Sequence, residues 1–333
     1  MKWDLITCGR VSMDLFSEQI GAEFHEIQSF SSSVGGSPTN IAIGSSRLGL
    51  TVAAFTAVGD DAVGRFVCRY LEKEGVDTSY VSTKASKRTG LAVLGIQPPD
   101  RFPLVFYRED PADIHLTIDE AQKLPLDSCR ILLLSGTALS RGSCRDATLF
   151  AAEKCQPFPV QIYHDLDLRP DQWNTAEAYG IWQRRLFPFL QVIIGTEEEF
   201  YAALAPDPVP VMTGEPLEPD QLNDLTDWLQ RLFQQYPTLQ TLVLKRGAKG
   251  VSIFSQENKH IMHVAGFSVQ LVNTVGAGDA FASGLIQQRI HGKDWATAAR
   301  FANACGALVV SRHGCAAAMP DLSEVLSFLQ NQT

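Results

Sequence analysis

Short apolar runs alternate with longer amphipathic stretches along this chain, and that alternation restricts the fold more than any other feature. The apolar runs are Leu5–Cys8, Val52–Val58, Ile131–Ser135, Val160–Tyr163, Val192–Ile194 and Leu242–Leu244. Each has strand length and little internal polarity, as a strand covered on both faces requires. Helical spacing predicts helices over Pro38–Leu48, Ala62–Glu74, Ala176–Leu190, Glu197–Leu204, Pro219–Gln235, Ala277–His291 and Trp295–Val310. Ser37 reads as the N-cap of the first, Pro38 as its first helical residue, and Gly49 as its stop. Strands that alternate with helices this way imply an α/β, doubly wound, mostly parallel sheet flanked by helices.

Two stretches break the rhythm. Residues about 15–34 and 88–110 read as short strands with no helix between them. Gly90–Ile96 and Leu104–Tyr107 suggest a hairpin around Gln97-Pro98-Pro99-Asp100. A small β-sheet lid beside one α/β domain spanning 1–333 accounts for both. Pro206–Pro219 carries five prolines and reads as an exposed loop.

Ligands of open α/β sheets bind beyond the carboxyl ends of the strands. Polar or glycine-rich clusters follow five β-like runs: Gly9–Asp14, Asp165–Arg169, Gly195–Glu199, Lys245–Gly250 and, after Phe267–Val272, the turn Gly276-Ala277-Gly278-Asp279. Five such clusters on one sheet edge make a binding cleft the natural reading. The last is the most telling. Its glycines permit a tight turn, and the helix start behind it offers N–H groups to an anion. Asp279 would then stand beside that anion, where a carboxylate repels phosphate unless it has a task. Taking the proton of a hydroxyl that attacks phosphorus is such a task. Alone, the same four residues also read as a helix start with a dipole-favoured Asp.

Composition excludes several classes. The chain has 333 residues, 45% hydrophobic and 20% charged, with a formal net charge of −9 and no Lys/Arg run. Nucleic-acid and anionic-membrane partners are therefore not expected. Seven scattered cysteines form no C-x-x-C pair, which argues against disulfides and zinc and for a reducing cytoplasm. Met1–Ser12 lacks the apolar stretch of a signal peptide, and no run reaches membrane-spanning length. P-loop, Rossmann G-x-G-x-x-G, G-x-S-x-G and H-E-x-x-H motifs are absent.

At this point the residues match a known pattern. Gly35-Gly36-Ser37-Pro38-Thr39-Asn40 leads into one helix, and Asn273–Phe281 carries Gly-Ala-Gly-Asp into another. With both signatures in order, the chain resembles the ribokinase-like (PfkB) carbohydrate kinases along nearly its whole length. The resemblance implies ATP as phosphoryl donor, Mg²⁺, and a sugar-like acceptor. It implies Asp279 as catalytic base, with Gly276 shaping the turn and the amides of Ala277, Gly278 and Asp279 as its anion hole. Asp14, Gly35, Gly36 and Asn40 correspond to residues that hold acceptor hydroxyls. Thr196 and Glu199 align with an N-x-x-E element in which Glu199 organises Mg²⁺ through water, Thr standing here for Asn. Gly247 and Gly250 correspond to the loop beside the nucleotide, and Asn303 to a residue near adenine. Asn273 replaces an Asp near a monovalent-cation site, which weakens the case for potassium. Lid strands with open edges pair between subunits in this family, so a homodimer through the lid is also implied.

Two arginines narrow the acceptor. Arg108 ends a lid strand and Arg169 follows a core strand, the arrangement of kinases that act on keto-deoxy sugar acids. A guanidinium fork matches a carboxylate, which neutral sugars lack. The strings Val34–Gly44, Phe102–Glu109 and Gly195–Phe200 are most similar to kinases of 5-dehydro-2-deoxy-D-gluconate, the acid of myo-inositol catabolism. Kinases of 2-keto-3-deoxygluconate come next. A fructokinase or ribokinase activity, or a non-catalytic sugar-acid sensor, are the alternatives.

Overall fold

The computed structural model describes residues 2–97, 101–257 and 260–332. Along the chain run β1 (Trp3–Cys8), β2 (Ser12–Ser17), β3 (Phe30–Gly35), α1 (Ser37–Arg47), β4 (Val52–Gly59), α2 (Ala62–Lys73), β5 (Val76–Asp77), β6 (Val81–Lys84), β7 (Gly90–Leu94) and β8 (Leu104–Tyr107). Then come α3 (Ile118–Ala121), β9 (Cys129–Ser135), α4 (Ser143–Lys154), β10 (Gln161–Asp165), α5 (Ala176–Leu186), β11 (Val192–Thr196), α6 (Glu197–Leu204), α7 (Val209–Met212) and α8 (Pro219–Gln235). The chain finishes with β12 (Thr241–Lys245), β13 (Val251–Ser255), β14 (Met262–Val264), α9 (Ala277–Ile290), α10 (Trp295–Val310) and α11 (Leu322–Gln330).

The main sheet runs β14-β13-β12-β11-β10-β9-β1-β4-β5, with β6 also pairing β4. It is parallel from β5 to β12 and antiparallel over β13 and β14. Strand β9 shows why its sequence is apolar at nearly every position. Leu132 and Leu134 pack with Phe187, Phe200 and Leu229 on one face. Ile131 and Leu133 pack with Ile41, Leu285 and Ala302 on the other. Successive strand residues point to opposite faces, and here both faces are covered.

The lid is a four-stranded sheet, β3-β2-β7-β8. Phe16, Ala92 and Leu94 of the lid share a third core with Phe301 and Ala304 of α10, so the lid is anchored to the body. Among the described residues no helix is long and apolar enough to cross a membrane.

Four details differ from the sequence reading. Gly36, not Ser37, caps α1, and Ser37 is its first helical residue. The third predicted helix stops at Leu186, where Pro188 lies in a short turn over Phe187–Phe189 that cannot continue the α-helical ladder. Residues 267–272 form no strand; Val272 and Asn273 instead donate from their backbones to the Val310 carbonyl. The proline-rich 206–219 stretch contains α7. The hairpin turn expected around Gln97–Asp100 lies mostly outside the described residues, which omit Pro98, Pro99 and Asp100.

Candidate active site

The carboxyl ends of β1, β10, β11 and β12 meet the α1 and α9 N-termini beneath the lid, around a cavity of about 360 Å³. A larger open groove, about 740 Å³, runs along α2, but its walls carry surface side chains such as Arg65, Arg69 and Lys73. Convergent acids distinguish the smaller cavity, which Asp14, Asp165, Asp167, Glu199 and Asp279 all line.

Asp279 sits in the first turn of α9. Gly276 precedes it with φ 88°, the left-handed conformation that glycine adopts without strain. A Cβ at Gly276 would stand 2.5 Å from Cys315 Sγ, so the turn has no room for a side chain. No side chain caps α9. The first-turn N–H groups of Gly278 and Asp279 therefore face forward without helical acceptors. The Ala277 amide lies 3.4 Å from the Thr274 carbonyl, a long contact beside the same turn.

Asn40 Nδ2 donates to Asp279 Oδ2 at 2.8 Å and lies 3.1 Å from Cys315 Sγ. Burial pushes the Asp279 pKa above its ordinary range, and nearby Asp167 adds to this, against the hydrogen bonds from Asn40 and Ser37. Across the cleft, Asp14 leaves β2 and accepts from Ser12 Oγ at 2.7 Å. Its carboxylate occupies the space that a Cβ on Gly35 would need, 1.9 Å away. Burial raises its pKa too.

A charged network floors the site. Asp167 Oδ2 accepts from Ser135 and Thr137 at 3.0 and 2.9 Å, and Arg169 lies 3.3 Å from Oδ1. Burial alone would raise Asp167, but Arg169, Arg10 and these hydroxyls pull it down to about 2. Asp165 behaves oppositely. Burial lifts it to about 7, with Lys245 only partly offsetting that and Glu199, Asp167 and Asp279 reinforcing it. Lys245 Nζ lies 3.6 Å from both Asp165 Oδ1 and Glu199 Oε2, and these acids hold its pKa above the ordinary value despite burial.

Glu199 closes a capping box with Thr196, accepting from the Thr196 N–H at 2.7 Å. It also accepts from the Leu168 N–H at 3.2 Å. Its carboxylate retains lone pairs for a metal-bound water. Among the described residues no group of three or more His, Cys, Asp or Glu converges as a metal cage. A Mg²⁺ held by phosphates and water, with Glu199 outside, fits this donor set. The lining also contains buried polar atoms without hydrogen-bond partners, Asn40 Oδ1, Arg10 Nε and Asp165 Oδ2, as a site for a hydroxylated anion would.

A family model for the pfkB family carbohydrate kinases matches residues 3–322. The chain belongs to this family. It is therefore a carbohydrate kinase, a phosphotransferase acting on an alcohol group. It is 33% identical over 330 residues to the 5-dehydro-2-deoxygluconokinase of Halalkalibacterium halodurans, covering 99% of this chain and 95% of that one. The Bacillus subtilis protein of that name is 31% identical over 332 residues, covering 99% and 97%. The crystal structure of fructokinase with bound ATP from Xylella fastidiosa superposes with a TM-score of 0.82 at 24% identity, covering 98% of both chains.

In this pfkB kinase the cleft brings together Asp14, Gly36, Asn40, Arg169, Thr196, Glu199, Gly276, Gly278 and Asp279. Gly250 and Asn303 meet elsewhere, around Val264 and Ala265. A Cβ on Gly250 would stand 2.1 Å from the Val264 carbonyl, and Asn303 Nδ2 donates to the Ala265 carbonyl at 2.9 Å. Gly247 starts the turn that leads to Gly250. Asn273 is fully buried, donating to the Gly314 carbonyl at 2.9 Å and accepting from the Val275 N–H at 3.0 Å, so its amide shapes the turn.

Arg108 is not in the cleft. Its guanidinium donates to both Asp113 oxygens at 2.9 Å and to the Val11 carbonyl at 3.0 Å. It is 6% exposed, and a buried guanidinium must be paired; here the pair fastens the end of β8 to the β1–β2 connection. The sequence reading has Arg108 as a carboxylate binder; in this structure the carboxylate it holds is that of Asp113. Arg10, Asp165, Asp167 and Lys245 all line the cleft. Each belongs to one of the clusters that follow the strands, the signal that marks them.

Proposed function

We propose that this kinase transfers the γ-phosphoryl group of ATP to the terminal hydroxyl of a keto-deoxy sugar acid, 5-dehydro-2-deoxy-D-gluconate first. The carrying observation is the Asp279 carboxylate, held by Asn40 at the mouth of α9 beside open first-turn amides. The curated relatives named 5-dehydro-2-deoxygluconokinase support the choice of acceptor.

Asp14 and Asn40 orient the acceptor hydroxyls. Asp279 takes the proton of the terminal hydroxyl as the phosphoryl group moves. The Gly278 and Asp279 amides, with Lys245, stabilise charge on the transferring oxygens. Mg²⁺, when bound, screens the phosphates, with Glu199 ordering its water shell. Gly247, Gly250 and Asn303 frame the nucleotide's outer end. Lid strands β2 and β8 exclude water from the acceptor. A homodimer through β8 belongs to the same proposal, since Leu104, Val105 and Tyr107 on that edge strand are exposed.

The test is an ATP-coupled assay across 5-dehydro-2-deoxygluconate, 2-keto-3-deoxygluconate, fructose and ribose. The first acid should show the highest kcat/KM. Preference for a neutral sugar would overturn the acceptor, and no phosphorylation of any sugar would favour a sensor.

A further inference from the structure

Arg10 follows β1 and is 7% exposed, yet its Nε is buried without a hydrogen-bond partner. Its nearest acid is Asp167, with Nε 3.6 Å from Oδ2. That oxygen already accepts from Ser135 and Thr137, so Arg10 gains attraction there but no bond. A buried guanidinium has five N–H donors, and leaving them unmet is costly. Arg108, equally buried, also leaves its Nε unpartnered, but its two Nη groups are met by Asp113 and Val11. Arg10 is thus the cleft's unmatched planar donor.

Its position selects the acceptor half of the site. The Arg10 Cζ lies 5.6 Å from the centroid of the Phe106 ring on lid strand β8. Asp14, the acceptor-side acid, interacts with it electrostatically. The donor half lies around Lys245, whose Nζ is 3.2 Å from where a Gly278 Cβ would stand. This position beside Phe106 and Asp14 favours a planar anion on the acceptor over a phosphate of the donor.

We propose that Arg10, held by the aromatic face of Phe106 and the charge of Asp167, receives the carboxylate of the sugar acid in a two-pronged hydrogen bond and so sets acceptor specificity. The inference rests on the sugar-acid reading above. The fork matches a carboxylate and not an amide, which presents its own N–H donors. Phe106 makes the reading conditional on the lid, because the ring that steadies the guanidinium belongs to the strand that covers the acceptor.

The test compares 5-dehydro-2-deoxygluconate with its primary amide as acceptors for wild type, Arg10→Met, Arg10→Lys and Phe106→Leu. Wild type should prefer the acid by about 10²-fold in kcat/KM. Arg10→Met should bring that ratio near one while the KM for ATP stays unchanged. Arg10→Lys should keep the charge and lose the fork, narrowing the ratio by about tenfold. Phe106→Leu should narrow it through a raised KM for the acid. An Arg10→Met enzyme that keeps the acid preference, loses both acceptors equally, or loses ATP affinity instead overturns the role of Arg10. If Arg10→Met does not fold, an unchanged ratio in Arg10→Lys and Phe106→Leu overturns it equally. Wild type that ignores the acid altogether refutes the parent reading and leaves a distinct signature.

Discussion

Asp279 carries an opposition between stability and activity that one substitution can expose. Its burial raises the folded pKa above the ordinary 3.8, so in the window between 3.8 and that raised value the folded state binds more protons than the unfolded chain. Stability contributed by this group therefore falls as pH rises through the window. Asp279→Asn removes that penalty while keeping an oxygen for Asn40. It should lower kcat by about 10²–10⁴ and melt no lower than wild type at pH 8, with the stability difference vanishing below pH 3.8. A scan of melting temperature against pH beside steady-state kinetics checks both halves; wild-type turnover in the variant would remove Asp279 from the mechanism. Arg108 should behave differently. Arg108→Ala strands Asp113 in the interior and should cost about 3–5 kcal/mol, read from denaturant unfolding, with the acid-to-amide preference unaltered in the enzyme that remains folded. The contrast explains what sequence could say at this scale. Asn40 and Asp279 are legible because the turns that open their helices need glycine, and glycine leaves a signature, while Asp14 is legible from the polar cluster that follows β1. Arg10 and Arg108 are both arginines after strands. Only the three-dimensional position of Asp113, five residues beyond Arg108, decides which of them is already paired.

The elements were legible to the degree that burial writes a period into them. Strand β9 reads as a continuous apolar run because both its faces are packed, and α8 reads over its full length because one face is not. Helix α4 goes unseen because its buried face is Cys144, Ala147, Thr148 and Ala151, small residues that barely differ from a polar face in hydropathy. Helix α11 is short and likewise outside the pattern read from the sequence, burying Val325 alone completely. The strand expected over 267–272 fails for another reason: its backbone donors go to the end of α10 rather than to a neighbouring strand. That attachment matters, since it feeds directly into the turn before α9. Gly276→Ala tests how tightly the turn is specified. Its φ of 88° disfavours any L side chain by about 1–2 kcal/mol, and the new methyl would meet Cys315 Sγ. Stability should fall by at least that much, and kcat by about 10² as the first-turn amides shift. Adding Cys315→Ala should recover part of the stability, a non-additivity that a double-mutant cycle would measure. Strict additivity would mean that the two residues do not share the space.

At the scale of the whole molecule, the question is what covers the lid's outer edge. Strand β8 ends the sheet β3-β2-β7-β8, so its outer backbone edge pairs with no strand among the described residues. Alternation along it places Leu104 and Phe106 toward the cleft, where both line the cavity, and Val105 and Tyr107 on the opposite face. Leu104, Val105 and Tyr107 are 41%, 42% and 56% exposed. An apolar open edge of this kind invites pairing, and pairing that does not run on into aggregation is directed to one partner. A second copy presenting the same strand satisfies it by two-fold symmetry, with β8 against β8. Light scattering should then give twice the chain's 36.5 kDa. Val105→Lys with Tyr107→Lys leaves the cleft face untouched and should yield a monomer. Because Phe106, the ring over Arg10, lies between those two positions, the monomer should also show a raised KM for the acid acceptor and little change in KM for ATP. A wild-type monomer at micromolar concentration, or a lysine variant that dimerises unchanged, would mean that the exposed edge of β8 has some other use.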